Sequence, residues 1–199
     1  MNNIFSPFYL HYQVDPKVQP IINKKVHSYR DSFGEKPQQP EGWECKVETS
    51  YPSDPPSQDQ DEMNLRSSFE PYIYHAINSI GLNKRPFVFS SWYNAYSGDQ
   101  FQEKHDHIGA KLSGVYFVQY DPEVHAQFSF INPLDQLLTA TYPELMMSEG
   151  KCPLFDAEHV PEVEQGSLII FPSFLVHKVS RSNENYTNPR ITFSFNIYQ

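Results

Sequence analysis

Cysteine is nearly absent, glycine is sparse, and no long apolar run occurs. The two cysteines, Cys45 and Cys152, stand far apart in 199 residues; they fit neither a zinc-ligand spacing nor a disulfide framework, so both are expected as reduced thiols. No stretch reaches the ~18 apolar residues of a membrane span. The opening Met1-Asn2-Asn3-Ile4-Phe5-Ser6-Pro7 lacks the basic-then-apolar order of a secretory signal, which predicts a soluble, cytoplasmic protein with no membrane partner. Positive charge is also short: 15 Lys and Arg face 24 Asp and Glu, a net charge of −9, with no basic run. Such a surface repels phosphate backbones and anionic lipid, which argues against nucleic acid as a partner.

What the chain has instead is rings and prolines: 15 Phe, 13 Tyr, 2 Trp and 17 Pro, against 39% hydrophobic residues in all. Prolines at that frequency cut the chain into short pieces and argue against a helix bundle. The length suits one domain with a sizeable core, expected over 1–199, with an N-terminal region at 1–85 and a β core at 86–199.

Alternating aromatic and polar residues in the first dozen positions predict a strand, and 18–33 a short helix. From 34 to 61 the Pro-rich composition predicts an irregular surface segment, pinned by Trp43 and Tyr51. Leu65, Phe69, Ile73, Ile77 and Ile80 then recur at helical spacing, with Gly81 as the stop and Pro71 as a kink or a first turn. From Pro86 the period changes to two. Strands are expected at 87–96, 100–108, 113–120 and 127–131, then, after an irregular stretch at 132–165, at 167–171, 175–179 and 190–198. The fold class is therefore mainly β with flanking helices, a sandwich or small barrel.

Of eight histidines, His105 and His107 are separated by one residue in a strand pattern, so both face one way while Asp106 faces the other. A third ligand must come from a distant strand, and His177 supplies it. A lone histidine is more often a hydrogen-bonded structural residue, which is how His11, His27, His75, His125 and His159 are read. Arg190 opens the last strand, with Thr192 and Ser194 on its face. An Arg and hydroxyls near three imidazoles form a cationic pocket suited to a small dicarboxylate.

His105-x-His107, Ser113-Gly114-Val115-Tyr116-Phe117, Gly166 through Phe171-Pro172-Ser173 to His177-x-Val179, and Arg190-x-Thr192-Phe193-Ser194-Phe195-Asn196 together resemble the 2-oxoglutarate and Fe(II)-dependent oxygenases. More narrowly they are similar to a small bacterial and phage branch related to prolyl hydroxylases, which would put the protein in a host cytoplasm if it is phage-encoded. The resemblance implies a double-stranded β-helix of jelly-roll, cupin-like form. It implies Fe(II) held by His105, His107 and His177, 2-oxoglutarate and O2 as cosubstrates, ascorbate as a reductant, and Arg190 with Thr192 or Ser194 on the far carboxylate. Asn94 and Tyr96, on one face of their strand with Trp92, and Ser113 on the next strand are further cosubstrate-binding positions; Trp92 and Tyr96 read equally well as core aromatics. Phe117 stands where related hydroxylases often carry a Tyr that donates to the cosubstrate.

The superfamily usually holds its metal with a His, a carboxylate and a distal His; here His107 occupies the carboxylate position. Three arrangements follow: His107 ligates, it stands aside for water, or a bulge lets Asp106 reach the metal. Strand parity favours His107. Three imidazoles would also suit zinc. The expected reaction is hydroxylation of a peptide or protein, with peptidyl proline as the family analogue, or of a small molecule, releasing succinate and CO2. The segments 34–61 and 132–165 are expected as lids. Two rivals stand beside this reading: a three-histidine cupin-type dioxygenase that uses no 2-oxoglutarate, and a non-catalytic jelly-roll binding or structural phage protein.

Overall fold

A computed structural model describes residues 7–33, 40, 42–45, 47–51, 60–82, 87–146, 156–182 and 186–198. Cys152 and the opening Ile4-Phe5-Ser6 lie outside them. The elements run in the order β1 (Leu10–Gln13), α1 (Gln19–Asp31), β2 (Glu48–Thr49), α2 (Gln60–Ser79), β3 (Val88–Tyr96), β4 (Gln102–His105), β5 (Leu112–Gln119) and β6 (Phe128–Ile131). They continue with α3 (Asp135–Thr141), α4 (Pro143–Met146), β7 (Glu158–His159), β8 (Ser167–Pro172), β9 (His177–Val179) and β10 (Arg190–Tyr198).

Two antiparallel sheets result, a larger one ordered β1-β8-β5-β10-β3-β2 and a smaller one ordered β4-β9-β6-β7. Non-sequential neighbours in both sheets are what a jelly roll requires. The larger sheet is apolar on both faces, and residue parity divides its side chains between two cores. Tyr93, Tyr116, Ile170, Phe193 and Phe195 pack with Ile22, Val26, Leu65, Phe69, Ile73 and Ile77 of the two long helices. Val115, Phe117, Ile169 and Phe171, from the opposite face, pack with Phe128, Phe130 and Val179 of the smaller sheet. The site grows out of this second, inter-sheet face.

Local chemistry accounts for the helices. Pro20 falls in the first turn of α1, where its missing N–H costs nothing. Helix α2 ends in a Schellman arrangement. Gly81 adopts φ 72°, its N–H bonds Asn78 O, and the Leu82 N–H bonds Ile77 O, both at 3.1 Å. Pro71, expected as a kink or a first turn, lies inside the 20-residue helix.

Other expectations change. The first strand is short and begins at Leu10. The segment 34–61 is not wholly irregular: Glu48–Thr49 pairs with Ala95 and Asn94 of β3, and Glu48 accepts from Arg30 of α1 at 2.6 and 2.8 Å. Trp43 does stack on Tyr51, with ring centroids 5.3 Å apart. The stretch 132–165 contains α3, α4 and β7, and β7 pairs with β6. The strand expected over 100–108 ends at His105.

Candidate active site

His105 and His177 face each other as cross-strand partners of β4 and β9. Each ring is fixed at Nδ1 by a carbonyl two residues earlier on its own chain, Glu103 O for His105 and Leu175 O for His177, both at 2.8 Å. Those bonds leave both Nε2 atoms pointing their lone pairs elsewhere. His107 joins them by a different route from the one strand parity suggested. It lies past the end of β4, and its backbone N–H donates to Ser173 O at 2.9 Å. The three rings lie 4.3 to 5.2 Å apart, centroid to centroid, and each contributes a ligand atom within 4.8 Å of the others.

Asp106 is not a member of that group. Its carboxylate accepts from the Ile108 N–H at 3.2 Å, a local turn bond that strand alternation could not foretell. Of the three arrangements open at the carboxylate position, this geometry matches the one with three imidazoles.

Burial keeps the imidazoles neutral. His105 lies below its ordinary value because of desolvation. His107 is pushed down to about 4, first by desolvation and then by His105. His177, the most buried, falls well below the usual histidine range from the same two causes. Neutral, lone-pair-bearing imidazoles are what a divalent transition metal needs, so the donor set fits such an ion.

The other half of the pocket is cationic. Arg190 is 1% exposed, and its Nε and one Nη find no hydrogen-bond partner among the described residues. Its guanidinium carbon lies 5.0, 5.4 and 5.6 Å from the ring centres of Tyr96, Phe117 and Tyr120, so rings rather than carboxylates enclose it. Desolvation lowers its pKa, yet a guanidinium remains charged. A buried cation with idle donors is costly on its own, and an anion such as a carboxylate is the group that satisfies it.

His105, His107, His177 and Arg190 line one cavity of about 160 Å³, together with Asn94, Tyr96, Ser113, Thr192 and Ser194. Asn94 leaves its Oδ1 unpartnered there among the described residues; its Nδ2 lies 3.5 Å from Ser194 Oγ. The Ser113 hydroxyl is already engaged, 2.7 Å from Asn196 Oδ1 and 2.9 Å from Ser173 Oγ. Trp92 sits against His107 with centroids 5.5 Å apart.

The cavity also takes in Trp43, Tyr51 and Glu103, which carried no signal in the sequence because an irregular segment and a bulged strand have no period to read. Asn196 did carry one: it shares residue parity with Arg190, Thr192 and Ser194. Of the two expected lids, 34–61 contributes Trp43 and Tyr51, whereas no described residue of 132–165 lines the cavity. The five remaining histidines include His125, held at both nitrogens by the Asp121 N–H and Asn188 O, His11 on Ser167, and His159 and His75 on tyrosine hydroxyls. Cys45 is a free, buried thiol, pushed up to about 12 by burial and, secondarily, by Glu103. Among the described residues, no helix is long and apolar enough to cross a membrane.

With this geometry in hand, comparison with known proteins is informative. A family model for 2OG-Fe(II) oxygenases matches residues 90–196. No curated protein matches the sequence. Among solved structures, a prolyl-4-hydroxylase from Pseudomonas putida is similar over 98% of this chain and 94% of its own, at 13% identity and a TM-score of 0.62. HygX from Streptomyces hygroscopicus, with nickel and 2-oxoglutarate bound, is similar over 96% and 83%, at 13% identity and 0.58. A prolyl hydroxylase from Trichoplax adhaerens, in complex with a hypoxia-inducible-factor peptide fragment, is similar over 96% and 83%, at 11% identity and 0.60. At such identities the likeness is one of fold, the double-stranded β-helix expected from the sequence.

Proposed function

The chain belongs to the 2OG-Fe(II) oxygenase family, and on that premise we propose that His105, His107 and His177 hold the Fe(II), that Arg190 with Thr192 or Ser194 holds the far carboxylate of 2-oxoglutarate, and that the substrate is peptidyl proline. As a member of that family the protein is a 2-oxoglutarate-dependent dioxygenase. Fe(II) with 2-oxoglutarate and O2 supplies a two-electron oxidation, in which one oxygen atom enters a substrate C–H bond and the other enters succinate as CO2 leaves.

The protein's own share is orientation and exclusion of water. The Nδ1 bonds of His105 and His177 to backbone carbonyls hold those rings so that Nε2 is free for the metal. Arg190 anchors the cosubstrate through charge-assisted hydrogen bonds from Nε and Nη, and the surrounding rings of Tyr96, Phe117 and Tyr120 keep that end dry, which strengthens the interaction. Asn94 offers an unpartnered amide oxygen to the same space, and Tyr96 forms part of its wall. Ser113 acts from behind, through Asn196.

One observation carries the reading: a fully buried, unpaired arginine shares a cavity with a triplet of neutral imidazoles. A three-histidine dioxygenase without a cosubstrate has no use for that arginine. Proline as substrate draws on the prolyl hydroxylases among the fold neighbours, and the −9 charge favours a basic peptide. The test is a panel of proline-containing peptides incubated with Fe(II), 2-oxoglutarate and O2 and read by mass spectrometry. A product one oxygen heavier, formed only with 2-oxoglutarate, is expected. Oxidation of other residues with proline left untouched would reject the substrate and leave the enzyme class standing.

A further inference from the structure

The three imidazoles are not held alike. His105 and His177 each have a backbone carbonyl at Nδ1, which accepts a proton from that nitrogen and leaves Nε2 as the metal-facing lone pair. His107 has no such carbonyl. Its Nδ1 lies 3.4 Å from the side-chain Nδ2 of Asn196, and an amide nitrogen can only donate. In this arrangement Nδ1 of His107 is the acceptor and the ring proton sits on Nε2, the nitrogen the metal needs. The donors run in one direction. One hydroxyl cannot donate twice, so Ser173 Oγ donates to Ser113 Oγ, Ser113 Oγ donates to Asn196 Oδ1 at 2.7 Å, and Asn196 Nδ2 donates to His107.

An amide is nearly symmetric in shape, so exchanging its oxygen and nitrogen leaves the heavy-atom distances unchanged. After that exchange the His107 Nδ1–H donates to Asn196 Oδ1, Asn196 Nδ2 donates to Ser113 Oγ, and Ser113 donates to Ser173. The Tyr198 hydroxyl, 3.3 Å from the same amide atom, donates to it instead of accepting. Every group in the chain stays satisfied and no net charge changes; the imidazole is neutral in both states, with its proton on Nδ1 instead of Nε2.

We propose that Asn196 is a positioning residue whose amide turns over when metal binds, reversing the Ser173-Ser113-Asn196 hydrogen-bond chain and setting the tautomer of His107. The chain gives the third ligand, the one that replaces the usual carboxylate, the support that its two partners take from fixed carbonyls. Because Asn can either donate or accept, it serves the metal-free and metal-bound states, which a carbonyl or a carboxylate cannot. This inference rests on the three-histidine metal reading above.

Two measurements test it on the full-length protein. In the first, nitrogen NMR of labelled histidine reads the His107 tautomer without and with Zn(II). The proton is expected on Nε2 in the metal-free protein and on Nδ1 after Zn(II) is added; a proton on Nδ1 in both states overturns the proposal. In the second, Co(II) is titrated into metal-free wild type, Asn196→Leu and Asn196→Asp. The leucine variant is expected to bind Co(II) 10- to 100-fold more weakly, whereas the aspartate variant, which can accept from Nδ1–H, stays within a few-fold of wild type. Equal affinity of wild type and Asn196→Leu overturns the proposal. Failure of the wild type itself to bind Co(II) strikes instead at the three-histidine reading beneath it.

Discussion

Replacing Arg190 with methionine separates the cost of the site from its purpose. The guanidinium is 1% exposed with Nε and one Nη unpartnered. If those two donors meet the far carboxylate of 2-oxoglutarate, each charge-assisted bond contributes about 1.5–3 kcal/mol. Together that is roughly 3–6 kcal/mol, or about 10²- to 10⁴-fold in affinity. In the absence of cosubstrate the sign reverses. Exchanging buried charged groups for well-packed apolar ones gains about 1–4 kcal/mol, offset in part by the ring contacts of Tyr96, Phe117 and Tyr120, which are worth about 0.5–2 kcal/mol. A net gain of about 1 kcal/mol raises the melting temperature by roughly 2–4 °C at this chain length. Thermal melts with and without 2-oxoglutarate read both effects. Arg190→Met is expected to melt slightly higher than wild type without cosubstrate and to show no stabilisation with it. A variant that melts lower and is still stabilised by 2-oxoglutarate would refute the assignment.

Two further predictions concern stability. His105, His107 and His177 have depressed pKa values in the fold, His107 to about 4, whereas an unfolded histidine titrates near ~6.5. Between those values the unfolded chain binds more protons, so stability is full above ~6.5 and declines as pH falls towards 4, with His107 alone accounting for up to about 3 kcal/mol; melting of the metal-free protein at constant temperature across that window measures it, and a flat profile contradicts it. Gly114→Ala tests the packing beneath the site, because a Cβ there would run into the Phe195 ring. Overpacking costs about 1–3 kcal/mol and should lower the melting temperature by several degrees (~2–4 °C per kcal/mol), and an unchanged melt would show that Phe195 can yield.

The legible parts of the site were those carried by strand parity. Arg190, Thr192 and Ser194 alternate along β10, Asn94 and Tyr96 along β3, and all five line the cavity because a period of two survives folding. His107 joined the cluster although β4 stops at His105; the bond from its N–H to Ser173 O is long-range, and no local pattern encodes it. Trp43 and Tyr51 reach the cavity from a segment whose pairing with β3 is equally non-local. The stretch 132–165 misled for the opposite reason. Its prolines and polar residues suggested a lid, while short helices and a two-residue strand tie its described part to the smaller sheet.

The central claim is that the His105, His107 and His177 cluster and Arg190 together run a 2-oxoglutarate-consuming oxidation. The most direct measurement supplies purified protein with Fe(II), 2-oxoglutarate, ascorbate and O2 and quantifies succinate, with His105→Ala and His177→Ala alongside. Succinate from the wild type and none above background from either variant is the predicted result. No succinate from the wild type across a broad panel of peptides, or equal amounts from His177→Ala, would contradict it.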